Sequence, residues 1–231
     1  MAAGLDAGVV QPDTKCDICT GPVQIGKYAI RTWDDHYHPD TTMEEVIVHS
    51  DNTGMVFVAG KLGKDKMFDY LNRFGVGRST EVDLEEEAVP SLREQDMWGD
   101  IDLATSSFGQ GVAITPIQLI RAAAAIANNG ILPIPRIVDK IKGGGFEQKV
   151  PLQDAGRVIS AESASKITKM MIAAVRYGES KWAAPKGFVV AGKTGTAQIP
   201  ISGHYDPNKT MASFVGFAPA ENPKFVMLVT L

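Results

Sequence analysis

Apolar positions recur at helical spacing through much of the chain and give way to strand-like runs at its C-terminal end. Ala2 to Ala7 reads as the tail of a helix that Gly8 ends. The stretch Gly21 to Trp33 reads as irregular and strand-like. Thr42 followed by Glu45 is a capping-box spacing, and Met43, Val46 and Ile47 follow on one helical face. That short helix runs into "HSDNTG". "MVFVAGKLG" and "DKMFDYLNRFG" predict two more helices, the second stopped by Gly75. Arg78 to Ser107 is polar and reads as loop-rich. "FGQGVAITPIQLIRAAAAIANNG" then predicts a clear helix, capped by Thr115, entered through Pro116 and ended by Gly130.

The remaining elements set the class. "ILPIPRIVDKI" predicts a short strand, and Ser160 starts a long helix closed by Gly178. Three strands finish the chain: Val189 to Gln198, Met211 to Phe217 and Phe225 to Leu231, with "APAENPK" turning between the last two. Helices in the middle and antiparallel strands at the end predict an α+β, or mixed α/β, domain. At 231 residues and 44% apolar content the chain can bury a sizeable core. A net charge of −4 without a basic cluster argues against nucleic acid. No apolar run is long enough for a bilayer, and "MAAGLDAGVV" lacks the pattern of a signal peptide. Cys16 and Cys19 form "CDIC". His36 and His38 follow, but one residue apart, which does not match the spacing of a zinc finger. Helix breakers after Cys19 argue against a redox C-x-x-C. The expectation is two free or mutually bonded thiols in a surface loop.

The most specific chemistry lies in "GFVVAGKTGTAQIP". Gly187, four residues and Gly192-Lys193-Thr194 satisfy the written P-loop pattern. The context does not fit. A P-loop leaves a strand and opens a helix, whereas "ESKWAAPK" precedes Gly187, stiff apolar residues fill the x positions, and Gly195 and Pro200 follow. Lys193 therefore sits on a strand, and no nucleotide is expected. Upstream, Ser50-Asp51-Asn52 lies in a turn between helices. S-D-N followed by K-T-G completes two thirds of the S-x-x-K, S-D-N, K-T-G signature of serine β-lactamases and penicillin-binding proteins.

With "FGQGVAITPIQL", "KTGTAQ", "ASFVGFAPAENPKF" and "MAAGLDAGVVQPDT", the chain resembles the monofunctional, class B penicillin-binding proteins over nearly its whole length. The resemblance implies a transpeptidase-type fold with an incomplete antiparallel sheet and a helical subdomain. It implies an enzyme that acylates itself with a stem peptide ending in D-Ala-D-Ala and passes the acyl group to an amine, with β-lactams as mimics of that peptide. It calls for no cofactor and no metal. Lys193, Thr194 and Thr196 would hold the substrate carboxylate. Gly195 would let the peptide lie along the strand, and the Thr196 N–H would form half of an oxyanion hole. Ser50 would relay a proton, while Asn52 would orient the general-base lysine and bind a substrate amide. The plain alternative for Ser50 and Asn52 is a helix cap; for Lys193 it is a solvated edge-strand lysine.

The same resemblance implies that pieces are missing. S-x-x-K should precede Ser50, yet the S-x-x-K found, Ser163 to Lys166, lies downstream on what reads as a solvated helix face. Met1 then reads as an internal methionine just after the nucleophile motif. Residues 1–231 would be a transpeptidase-domain fragment without the family's first strands, anchor, partner-binding domain and final helix. The family works on the outer face of the cytoplasmic membrane together with cell-wall synthesis partners. The competing readings are a β-lactamase or β-lactam sensor of the same fold, and a non-catalytic split chain that acts by binding a partner.

Overall fold

The computed structural model describes residues 1–201 and 204–231. Seven α-helices appear among them: α1 (Ala2–Asp6), α2 (Met43–His49), α3 (Asn52–Leu62), α4 (Lys64–Arg73), α5 (Asp100–Ser107), α6 (Pro116–Ala127) and α7 (Ala161–Tyr177). The principal sheet is antiparallel, with β7 (Ala191–Ile201), β8 (His204–Ala218) and β9 (Phe225–Thr230) in that order. Three two-stranded pieces lie outside it. They are β1 (Val23–Ile25) with β2 (Tyr28–Ile30), β3 (Ile131–Pro133) with β6 (Asp154–Arg157), and β4 (Lys140–Gly143) with β5 (Phe146–Lys149). The mixed class and the antiparallel C-terminal sheet are as the residue pattern predicts.

Helix α7 is the axis of the molecule. Ser160 caps it by accepting the Ser163 N–H, and Gly178 follows its last turn. Ile167, Met170, Met171 and Ala174 fall on one buried stripe, spaced by three, one and three residues. That stripe packs against β7 and α2. One core cluster joins Met43, Val46, Ile167, Met170, Ala191 and Phe217, so helix, helix and sheet close on the same side chains. Truncating a fully buried member such as Met170 to alanine would cost about 2–5 kcal/mol.

Two local features orient the elements that carry Ser50 and Lys193. The first is the start of α2. Thr42 and Glu45 form the expected capping box, with the Glu45 carboxylate accepting the Thr42 N–H at 2.8 Å. The second is the pair Cys16 and Cys19. They are joined as a disulfide, 1% and 0% exposed, inside the same core cluster. The loop is at the surface as expected, with Lys15, Asp17, Ile18 and Thr20 exposed, but its two sulfurs turn inward. It is stitched to the α2 entry by Cys16 N–H to Thr41 O and Met43 N–H to Thr14 O, and those backbone bonds bring the sulfurs under the helix.

Three other expectations change. The polar segment 78–107 contains α5. "ILPIPRIVDKI" is two strands in two different sheets, not one. Ser163 is buried at 4% exposure, accepting a hydrogen bond from the Ser160 hydroxyl at 2.8 Å, so the motif's serine is not on a solvated face, whereas Ser165 is exposed and Lys166 is half-buried and paired with Glu162.

Candidate functional site

The turn between α2 and α3 is built from its middle residue. Asp51 is buried, and its Oδ1 accepts the N–H groups of Thr53 at 2.7 Å and Gly54 at 3.2 Å, plus the Thr53 hydroxyl at 2.6 Å. It is the N-cap of α3. Ser50 is the C-cap that follows α2, in the left-handed conformation with φ 56° and ψ 42°. A non-glycine residue there stores about 1–2 kcal/mol of strain. Neither Ser50 nor Asn52 caps a helix through its side chain. Capping falls to Asp51, which leaves its two neighbours available.

Ser50 meets Lys193 across 143 residues of chain. The Lys193 Nζ donates to Ser50 Oγ at 2.9 Å, to the Thr194 carbonyl at 2.9 Å and to Thr194 Oγ1 at 3.3 Å. Its three protons therefore have three acceptors. Burial pushes the Lys193 ammonium below the ordinary lysine value, and the charge of Glu179 offsets this only in part. This is not a solvated edge lysine. A residue that sequence reasoning missed completes the cluster: Thr194 donates its hydroxyl to Glu179 Oε2 at 2.7 Å. Glu179 follows Gly178 at the end of α7. Only the folded chain brings that helix end to the strand.

The other site residues lie as follows. Asn52 donates through Nδ2 to the Arg31 carbonyl at 2.9 Å, tying α3 to the segment after β2. Gly195 faces Ser213, whose hydroxyl donates to the Gly195 carbonyl at 3.3 Å. A Cβ on Gly195 would stand 2.9 Å from Ser213 Oγ. Thr196 is exposed and pairs in register with Ala212. Among the described residues β7 pairs only with β8, so its outer edge is open to an extended peptide. Lys193, Thr194, Gly195 and Thr196 run along that edge beside Ser50. Ser163, by contrast, lies near the start of α7, about 20 Å along the helix from the end that bears Glu179.

A cation, two hydroxyls and an open strand edge can receive a peptide carboxylate and hold its backbone extended. The comparisons agree with this geometry. The family model described as "Penicillin binding protein transpeptidase domain" matches residues 1–231. Stage V sporulation protein D of Bacillus subtilis is 35% identical over 215 residues, which is 91% of this chain and 33% of that protein. Penicillin-binding protein PbpB of Mycobacterium tuberculosis is 31% identical over 241 residues, covering all of this chain and 35% of that one. The apo crystal structure of penicillin-binding protein 3 from M. tuberculosis superposes with a TM-score of 0.93 at 30% identity, covering all of this chain and 54% of that one. The chain spans about a third of the length of these curated relatives. It belongs to the penicillin-binding protein transpeptidase family, with class B proteins as its relatives.

Proposed function

We propose that this chain forms the substrate-holding half of a serine D,D-transpeptidase that cross-links peptidoglycan stem peptides. The observation that carries the reading is the hydrogen bond between Lys193 and Ser50, which assembles two motif residues from opposite ends of the chain into one polar cluster. A donor peptide ending in D-Ala-D-Ala would lie along β7. Its carboxylate would take up one Lys193 proton now shared with Thr194, together with the Thr194 and Thr196 hydroxyls. The Thr196 N–H would donate to the developing oxyanion, an interaction of a kind worth about 2.7–4 kcal/mol. Ser50, already an acceptor from Lys193, would pass a proton toward the leaving amine. Asn52 would orient the catalytic lysine and bind a substrate amide.

The acylated serine would come from residues outside this chain, since Ser163 is capped, buried and remote. Among relatives printed as peptidoglycan D,D-transpeptidases is PenA of Neisseria meningitidis, 31% identical over the whole chain. Solved neighbours hold aztreonam and ampicillin, which favours β-lactams as inhibitors here too. By the same kinship the site would work outside the cytoplasmic membrane, with cell-wall synthesis proteins as partners. Among the described residues no helix is long and apolar enough to cross a membrane.

The test is labelling by a fluorescent penicillin in the longer protein that carries this chain together with an S-x-x-K serine. A covalent band is expected, and Lys193→Ala should slow its appearance at least tenfold in protein that circular dichroism shows to be folded. Labelling at the wild-type rate would remove Lys193 from the site. The 231-residue chain by itself should not label; a band mapped to Ser163 would overturn the assignment.

A further inference from the structure

The Thr194 hydroxyl has a single proton to give, and Glu179 holds it. Thr194 Oγ1 donates to Glu179 Oε2 at 2.7 Å and accepts from Lys193 Nζ at 3.3 Å. The donor carboxylate that the transpeptidase reading lays on β7 needs that same proton. A negative charge therefore already stands where the substrate's negative charge is to be received. The contact is built into the fold. The Gly178 N–H donates to the Ala174 carbonyl at 2.9 Å and the Lys181 N–H to the Gly178 carbonyl at 3.2 Å, so the backbone is tied on both sides of Glu179. The Glu179 side chain is exposed, so it can swing from Thr194 into water without disturbing the core. Its charge also supports the Lys193 ammonium against burial, a service that a bound carboxylate would take over.

We infer that Glu179 is a specificity-determining residue, an internal carboxylate that contests the Thr194 hydroxyl with the carboxylate of the donor peptide. The inference rests on the transpeptidase reading and deepens it: affinity for an anionic donor is set by the exchange of one carboxylate for another. For the donor to bind with all its contacts, Thr194 turns its proton away from Glu179, and the Glu179 carboxylate moves out to water. Both changes lower affinity for a negatively charged chain end. A chain end closed by a carboxamide meets no like charge, and its N–H can donate to Glu179. Glu179 thus narrows the margin by which the Lys193 strand prefers a carboxylate. One exposed like-charge contact and one contested hydrogen bond are each small in water, and together they amount to about fivefold in binding. The effect falls on KM and spares kcat, because the exchange is complete before the carbonyl reacts.

The experiment uses the longer acyl-forming protein and two thioester donors, one ending in a carboxylate and the other in the matching carboxamide. Glu179→Ala removes both the acceptor and the charge. Glu179→Gln removes the charge and keeps an acceptor for Thr194. For the carboxylate donor, KM should fall about fivefold in Glu179→Ala and about twofold in Glu179→Gln, with kcat changed less than about twofold. For the carboxamide donor, KM should stay level or rise. Penicillin also carries a carboxylate, and its acylation at low concentration should quicken in the same order of variants. A carboxylate-donor KM that rises or does not move, or a kcat that falls with both donors, would show that Glu179 only positions Thr194 and would overturn the competitor role. An equal fall in KM for both donors would overturn it as well. Each of these results leaves the transpeptidase reading standing. Failure of penicillin to acylate the wild-type protein would overturn that reading instead, and the role of Glu179 with it.

Discussion

The turn that presents Ser50 depends on a close contact that can be probed with a matched pair of substitutions. Gly54 sits in the first turn of α3, where a built Cβ would lie 2.2 and 2.7 Å from the Val46 γ-carbons and 3.1 Å from Val46 Cβ. Rotating Val46 can relieve the first two clashes but not the third, because its Cβ is fixed to the α2 backbone. Val46 is itself buried in the core. Overpacking of this kind costs about 1–3 kcal/mol. The same substitution gains about 1 kcal/mol of helix propensity. At the upper end of the clash range, Gly54→Ala therefore loses about 2 kcal/mol. Gly60 lies in the same helix, exposed, with nothing within 4 Å of its Cβ position. Gly60→Ala should keep the whole gain of about 1 kcal/mol. For a domain of this size, 1 kcal/mol moves the melting temperature by about 2–4 °C. Calorimetry should show Gly54→Ala falling by about 4–8 °C and Gly60→Ala rising by about 2–4 °C. Gly54→Ala should also slow penicillin acylation several-fold, because separating α2 from α3 displaces Ser50 and Asn52 together. Equal stabilisation of the two variants would refute the idea that helix contact at Gly54 sets the turn.

Further outcomes follow from the same geometry. Ser50→Gly should leave stability unchanged or raise it by up to about 1 kcal/mol, since glycine accepts the left-handed backbone, while acylation is lost; a large fall in melting temperature would show that the Ser50 side chain is structural. Asp6 is partly buried, which alone would raise its pKa, but bonds from the Ser160 N–H and the Tyr70 hydroxyl outweigh this and hold it below the ordinary value of 3.8. Its stabilisation is thus present above that value and lost as pH falls through the folded pKa. Asp6→Asn should cost about 1–2 kcal/mol at neutral pH after solvent screening, with the gap closing in acid; a gap that persists at low pH would point to packing instead. For Lys193, burial disfavours the charged form, so the unfolded chain binds more protons between the lowered folded pKa and 10.5. Stability should rise with pH across that window more steeply than in Lys193→Met, and equal slopes in denaturant titrations would refute it. Finally, β9 exposes Phe225, Met227 and Val229 along an edge strand, and the isolated chain should self-associate until Met227→Lys is introduced. A monomer by light scattering before the substitution would show that the edge is protected.

What could be read in the residues follows from where each signal is carried. Helix caps are local, so Thr42 with Glu45, Thr115 with Pro116, and Ser160 marked helix starts that the fold contains. Helix α5 was hidden because Gly99 supplies no side-chain cap. Its start is held instead by Asp102 reaching back to the Gly99 N–H at 2.9 Å. Strands β4 and β5 are exposed on every residue, so no alternation betrays them. The β3–β6 pairing joins segments about twenty residues apart with a shifted register, which no local pattern encodes. Lys193 and Ser50 were legible as a pair through the order of two short motifs. Glu179, Asp51 and the inward-folded disulfide were not, because their roles exist only once α2, α7 and β7 have met.

That meeting is itself explained at one position. Gly178 ends α7, and a Cβ there would stand 2.5 Å from the Ala174 carbonyl oxygen and 2.6 Å from that of Val48. Both neighbours are backbone, so neither can rotate away. Val48 lies two residues before Ser50, and Glu179 is the residue after Gly178. Without a side chain at 178, the last turn of α2 can rest directly on the end of α7. Helix α7 in turn packs on β7, which carries Lys193. The distance from Ser50 to Lys193 is thus set through two rigid contacts, helix on helix and helix on sheet, and not by the long segment between them. This is why two residues so far apart in sequence can hold a 2.9 Å hydrogen bond, and why the polar cluster sits where a half-buried lysine, a strained serine and an open strand edge face one another.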